Sequence, residues 1–246
     1  GLDLGQAHRR GGVAGEKRIT TDGMDTGVSK GEGLYWKYES TLKRWDAALN
    51  SVMGAAGELF SLRTELFEPL PDDTLLEDLV QSMKICEKGF TVKYAPEAIA
   101  TEYASQSFGE EWNRKVRIAA GGFQAMRRLK VYTYLYRFPL TGFQFLSHRA
   151  IRWAVCPPAL PVLFFSSFFL YMELKTEWMF PLILVQSAFY SLACIGWILN
   201  GSIYSHPFFR IPFYFLWMHA ASMAGFIRYV TKRESVLWIK ASRRNK

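Results

Sequence analysis

The sequence predicts an α/β layer, a mixed sheet covered by helices, followed by an amphipathic interfacial segment and about three transmembrane helices. Three observations carry this. Up to about Lys130, short runs with strand character alternate with stretches of helical periodicity. From Trp153 to Val230 the chain is dominated by Phe, Leu, Ile, Trp and Tyr. Basic residues gather beside the apolar runs: Arg127, Arg128, Lys130, Arg149 and Arg152 before them, and Lys232, Arg233, Arg243, Arg244 and Lys246 after them. The near-neutral average hydropathy therefore conceals two regimes.

In chain order, Gly12–Ile19 has β-branched residues at its ends and predicts a strand. Thr20–Lys30 is rich in Gly, Asp, Thr and Ser and reads as a loop. Over Gly33–Leu49, helical spacing places Leu34, Tyr38, Leu42, Trp45 and Leu49 on one face. The small residues Gly54, Ala55, Ala56 and Gly57 fit either a tight turn or a close approach by a ligand. Glu58–Arg63 then alternates as a strand. Pro69–Thr74 makes a turn, and Leu75–Lys88 predicts a helix burying Leu76, Leu79, Met83 and Cys86, with Gly89 closing it. Phe90–Tyr94 reads as a strand, Pro96 as a turn, Ala98–Tyr103 as a further strand and Gly109–Leu129 as a helix.

Trp153–Met172 and Met179–Leu199 each run about 20 residues without a charge, the length that crosses a bilayer core. Pro207–Val230 is the third such segment, with Arg210 and Arg228 near its ends. Tyr132–Arg152 mixes aromatic and basic residues and fits an element lying along the headgroups, or a polar surface helix of the soluble part. The basic flank before the first span puts the soluble part in the cytoplasm. Three spans would leave the basic tail outside, so Pro157, Pro158 and Pro161 mark the first segment as a candidate for a kink or a re-entrant path.

The net charge of +8 has no nucleic-acid motif beside it, so the membrane surface explains it better and no nucleic-acid partner is expected. Cys86, Cys156 and Cys194 are isolated, and His8, His148, His206 and His219 are scattered, so no metal site is assigned. The chain opens at Gly1 without a basic-then-apolar leader; it is read as lacking a signal peptide and as truncated or frameshifted at its N-terminus.

Three motifs in order resemble family 2 glycosyltransferases of the inverting GT-A type, of the cellulose- and hyaluronan-synthase-like kind. Gly54-Ala-Ala-Gly57 followed by Glu-Leu-Phe-Ser-Leu-Arg63 resembles the family's acceptor loop and the strand ending in Arg. Leu-Leu-Glu77-Asp78-Leu, closing with Gly89-Phe-Thr-Val and Tyr94-Ala-Pro96, is similar to the "ED" motif and its trailing strand. Arg114-Lys-Val-Arg117-Ile118 followed by Gly121-Gly122 resembles the Q/RxxRW motif, with Ile118 where the family's Trp stands. The resemblance implies five regions: an atypical stretch over 1–11, the acceptor-side half of a GT-A domain over 12–131, an interfacial segment over 132–152, a transmembrane region over 153–230 and a basic tail over 231–246. The family's donor-side half, with its DxD motif, has no counterpart here.

The implied function is transfer of a sugar from a nucleotide-diphospho-sugar to a polysaccharide or glycolipid acceptor, with inversion, by an enzyme integral to a bacterial inner or plasma membrane. Activity of the isolated fragment is not expected. Such a displacement needs a base for the acceptor hydroxyl and cations for the leaving diphosphate. Asp78 is the candidate base, assisted by Glu77, in a helix first turn where the macrodipole favours carboxylates; both residues also suit a helix start without any catalytic role. Arg114 and Arg117, three apart on a helix, are the candidate diphosphate ligands, against a solvated basic face or headgroup contact. Gly54, Ala55, Ala56, Gly57 and Arg63 complete the implied substrate-binding set. Mg²⁺ or Mn²⁺ is implied for the whole enzyme, with ligands outside this chain. The alternative is a non-catalytic, membrane-anchored scaffold that binds a partner.

Overall fold

The computed structural model describes residues 10–20, 27–55, 57–103, 105, 107–130, 135–175, 177–199 and 206–232. Ala56, residues 1–9 of the atypical opening and the tail beyond Lys232 lie outside the described residues.

Strands β1 (Arg10–Thr20), β2 (Phe60–Leu62) and β3 (Thr91–Tyr103) form a mixed sheet in the order β2-β1-β3. β2 runs antiparallel to β1, with Gly12 opposite Leu62; β3 runs parallel to β1, from Arg10 opposite Thr91 to Thr20 opposite Tyr103. The turn expected at Pro96 does not end the strand. Pairing passes from Gly15–Ala95 directly to Glu16–Ile99. Proline has no N–H to give the ladder, so the residues around it bulge out while the strand continues.

Helix α1 (Gly27–Leu49) starts earlier than the sequence suggests and faces the other way. Of the predicted apolar face, Leu34, Tyr38, Trp45 and Leu49 are exposed and Leu42 is half-buried, whereas Glu32, Glu39, Lys43 and Asp46 are buried. The buried side of α1 is held by ion pairs and lines a cavity, so charge pairing outweighs apolar periodicity here. Helix α2 (Glu77–Glu87) behaves as expected: Leu79, Met83 and Cys86 point into the core, and Gly89 closes it at a φ of 82°. Ile85 of α2 packs with Ala14, Val52, Leu66 and Val92 against the sheet. Helix α3 (Phe108–Arg128) is capped by Ser107, whose hydroxyl accepts from the Glu110 N–H at 3.2 Å.

The segment predicted to be interfacial is continuous with the first apolar run. Pro139–Leu174 forms one helix, α4, with a π-helical stretch over Leu146–Val155. The wider turn precedes Pro157 and Pro158, which cannot donate to the carbonyls behind them. One side of this stretch packs against the rest of the chain. Phe145 is fully buried, Ala150 and Trp153 join Met53, Leu79 and Val80 in the core, and His148 is buried beside them. Trp153 sits flat on Gly122 of α3, where a Cβ would overlap the indole. Gly122→Val is expected to undock α4 from α3, at a cost of about 1–3 kcal/mol. A lowered melting temperature of the detergent-solubilised protein would register it.

Helices α5 (Met179–Ile198) and α6 (Pro207–Val230) complete the chain. Among the described residues two helices, α4 and α5, are long and apolar enough to cross a membrane. Pro207–Val230, expected as a third span, lies lengthwise and parallel along α3. Phe108 and Trp112 meet Phe213 and Trp217, Gly225 seats Ala119, and Phe123 meets Phe226. Small residues on both helices, Ala119, Ala120, Ala221 and Gly225, are buried and allow this close approach.

Candidate active site

A cavity of about 980 Å³ opens between α1, α2, α3, the sheet and the head of α4. It gathers most of the residues singled out in the sequence. Gly54, Ala55, Gly57, Glu77, Asp78, Arg114 and Arg117 all line it. Ala56 lies outside the described residues, and Arg63 is elsewhere. The Arg63 side chain is 41% exposed, stands over the Phe90 ring and is 3.9 Å from Glu65. Its role is in the backbone, where its N–H donates to the Gly11 carbonyl at 3.0 Å and extends the β1–β2 pairing.

The small-residue turn is shaped around α2. Gly54 has a φ of 91°, and a Cβ there would stand 2.7 Å from Leu79 Cδ1. The Ala55 N–H donates weakly to Ser82 Oγ at 3.4 Å. A Cβ on Gly57 would come 3.4 Å from Asp78 Oδ2, so the turn closes directly over that carboxylate. Asp78 lies in the first turn of α2, beside the exposed Glu77. Burial pushes the Asp78 carboxyl above the usual aspartate range, and Glu58 adds to this. The Leu79 N–H and Arg149 pull it back without cancelling the rise.

The two arginines of α3 differ. Arg114 is committed to ion pairs: it contacts Glu32 of α1 and meets Glu111 at 2.8 Å. Glu111 is fully buried, accepts from Ser105 Oγ at 2.7 Å and also faces Lys115 at 3.5 Å. Arg114 therefore locks α3 onto α1, and Arg117 also lines the cavity. Burial draws the Lys115 amine down to about 8, against the pull of Glu111.

Several lining residues escaped the sequence reading. The Trp36 indole stands in the cavity with Lys17, Lys43 and Lys115 at 4.7, 5.7 and 6.0 Å from its centre. Its Nε1 is buried with no hydrogen-bond partner among the described residues. Lys17 is held by Glu58 and Glu102. Glu39, on the same side of α1, pairs with Arg152 and stands 3.4 Å from Arg149. Burial alone would raise the Glu39 carboxyl; Arg149 and Arg152, with His148 3.8 Å away, hold it well below the usual range. Asp46 pairs with His148, and the Gln144 amide donates to the Asp46 carbonyl at 3.0 Å. The signal in the sequence was the spacing of Glu32, Glu39, Lys43 and Asp46, one helix face opposite the apolar one.

These residues do not suit a divalent metal ion. No group of three His, Cys, Asp or Glu side chains converges among the described residues. Glu39 and Glu58, which line the cavity with Asp78, are each taken by cations.

The fold has a solved counterpart. The mannosyltransferase PcManGT from Pyrobaculum calidifontis, in complex with GDP-Man and Mn2+, matches with a TM-score of 0.58 at 17% identity. The match covers 92% of this chain and 55% of that one, so the present chain spans about half the length of its counterpart. A search of curated proteins found no match. The family model described as glycosyl transferase family group 2 matches residues 29–227, most of the chain, and the chain belongs to that family.

Proposed function

We propose that this chain forms the acceptor side of a membrane-bound, inverting glycosyltransferase. The observation that carries the reading is the Asp78 carboxylate, half-buried under the Gly54–Gly57 turn and sharing one cavity with Arg117, in a chain of this family. The acceptor hydroxyl attacks the anomeric carbon of a nucleotide-diphospho-sugar. Its proton passes to an Asp78 oxygen as the new C–O bond forms on the face opposite the leaving group. The bond to the diphosphate breaks, and the diphosphate departs with the electron pair. Arg117 stabilises the charge that develops there. Trp36, with its free indole N–H, offers an apolar face and one donor to a sugar ring. The acceptor is a polysaccharide or a glycolipid. The Mg²⁺ or Mn²⁺ that the family resemblance implies would take its ligands from outside the described residues.

The length and apolar composition of α4 and α5 support the membrane role. Two crossings return the chain to its starting side, so Arg127, Arg128 and Lys232 share one face, as the positive-inside rule asks of the cytoplasm. The packing of α6 along α3 is consistent with that arrangement.

The first test is transfer from a panel of nucleotide sugars by the full-length polypeptide in native membranes. The two arginines are separable in the same assay. Arg117→Gln is expected to raise the donor KM about 10–100-fold, since charge-assisted hydrogen bonds contribute about 1.5–3 kcal/mol. Arg114→Gln is expected to lower the melting temperature while the folded fraction keeps its donor KM. The reverse pattern would return the diphosphate role to Arg114.

A further inference from the structure

Arg149 lies at the head of α4, in the π-helical stretch, yet its guanidinium points away from the apolar run and into the cavity. Its Nε donates to the Met53 carbonyl at 2.9 Å, at the start of the turn that closes over Asp78. One terminal nitrogen is 3.4 Å from Glu39 of α1, and the other would lie 3.6 Å from a Cβ placed on Gly54. The Trp153 ring, docked on α3, stands 5.7 Å from the guanidinium carbon. One side chain on the membrane-proximal helix thus touches α1, the turn and the neighbourhood of the carboxylate. A charge in this position at the entrance to an apolar helix is costly unless it is paired and has a task.

We propose that Arg149 is a positioning residue of the transfer site, holding the Met53–Gly54 turn in place and supplying the cation that faces Asp78. This rests on the reading of Asp78 as the base. Seating of the membrane-proximal helix then becomes a condition for a competent base: with α4 displaced, the turn loses its tether and the carboxylate its counter-charge.

Charged residues lining the cavity with Asp78 are Glu77 on its own helix, Glu58 and Glu68 in the loops beside it, Lys17 and Glu102 of the sheet, Arg114, Lys115 and Arg117 on α3, Glu39 and Lys43 on α1, and Arg149 on α4. Glu58 pushes the carboxyl up and Arg149 draws it down. Lys43 is 2% exposed and stacks near Trp36, and burial and Arg149 lower its own amine.

The test is the pH–rate profile of sugar transfer by the full-length polypeptide in its membrane, with saturating donor and acceptor. Four forms are compared: wild type, Arg149→Gln, Arg149→Lys and Asp78→Asn. Arg149→Gln is expected to move the acid limb of kcat to higher pH, since losing the cation disfavours the ionised carboxylate. Its donor KM stays within about twofold of wild type. Arg149→Lys keeps a charge but loses the bond to Met53, so its kcat falls with the limb in place. A merely structural role would reduce the amount of active enzyme and leave the limb unmoved in every variant. An unshifted limb in folded Arg149→Gln overturns the proposal. Should that variant not fold, an unchanged kcat in Arg149→Lys overturns it. Undiminished transfer by Asp78→Asn would instead sink the reading of Asp78 on which the inference rests, so the two failures are distinguishable.

Discussion

Asp78→Asn is expected to reduce kcat for sugar transfer about 10²–10⁴-fold, the usual contribution of a positioned general base. The amide matches the carboxylate in shape and keeps its place under Gly57, so donor KM and melting temperature should hold near wild type. The pH dependence carries a second expectation. A base must be ionised, and burial raises the Asp78 carboxyl above its ordinary range, with Glu58 contributing. As pH falls, wild-type activity is therefore lost at a higher pH than a solvated aspartate would give. Glu58→Gln removes one cause of the rise, so its acid limb should move to lower pH. A pH–rate series on the three proteins checks the direction.

Glu39→Ala is expected to produce the largest loss of stability. Glu39 is 2% exposed and balances Arg149 and Arg152, which enter from the head of α4. Removing it leaves two largely buried guanidinium groups facing Lys43 without their shared carboxylate. Breaking a buried pair in this way costs about 3–5 kcal/mol. The carboxyl is held well below its ordinary range in the folded protein. Its contribution is therefore present in full above the ordinary glutamate pKa and is lost as pH falls through the folded value. Thermal unfolding of the solubilised protein should show a large gap between wild type and Glu39→Ala at neutral pH. The gap should narrow in acid.

The parts of this molecule legible in its sequence were those where local rules and tertiary packing agree. Helix α2 has acidic residues in its first turn, an apolar face at Leu79, Met83 and Cys86, and Gly89 at its end, and it was read nearly to its limits. The small-residue turn and the Glu77–Asp78 pair came together as their order suggested, because a turn without side chains can close over a helix N-terminus. Helix α1 defeated the same reasoning. Its periodic apolar residues, Leu34, Tyr38, Trp45 and Leu49, face outward, and its charged face is buried. Periodicity tells which residues share a face, but not which face has partners. The partners, Arg114, Arg149 and Arg152, come from distant elements. Arg63 and Arg114 show the same limit. A motif position fixes where a side chain starts, while neighbouring carboxylates, Glu65 for one and Glu32 with Glu111 for the other, decide what it meets. The run Pro207–Val230 is apolar in composition and packs along α3. Its small residues, Ala221 and Gly225, were the signal of a helix that packs on another.

The measurement that bears most directly on the account is the anomeric configuration of the transferred sugar. The full-length polypeptide would be supplied with its nucleotide-diphospho-sugar and acceptor, and the product linkage read by NMR, for wild type and Asp78→Asn. Direct displacement with Asp78 as base predicts a single product of inverted configuration, and its near absence with the variant. A retained configuration, or equal product from both proteins, would contradict the account.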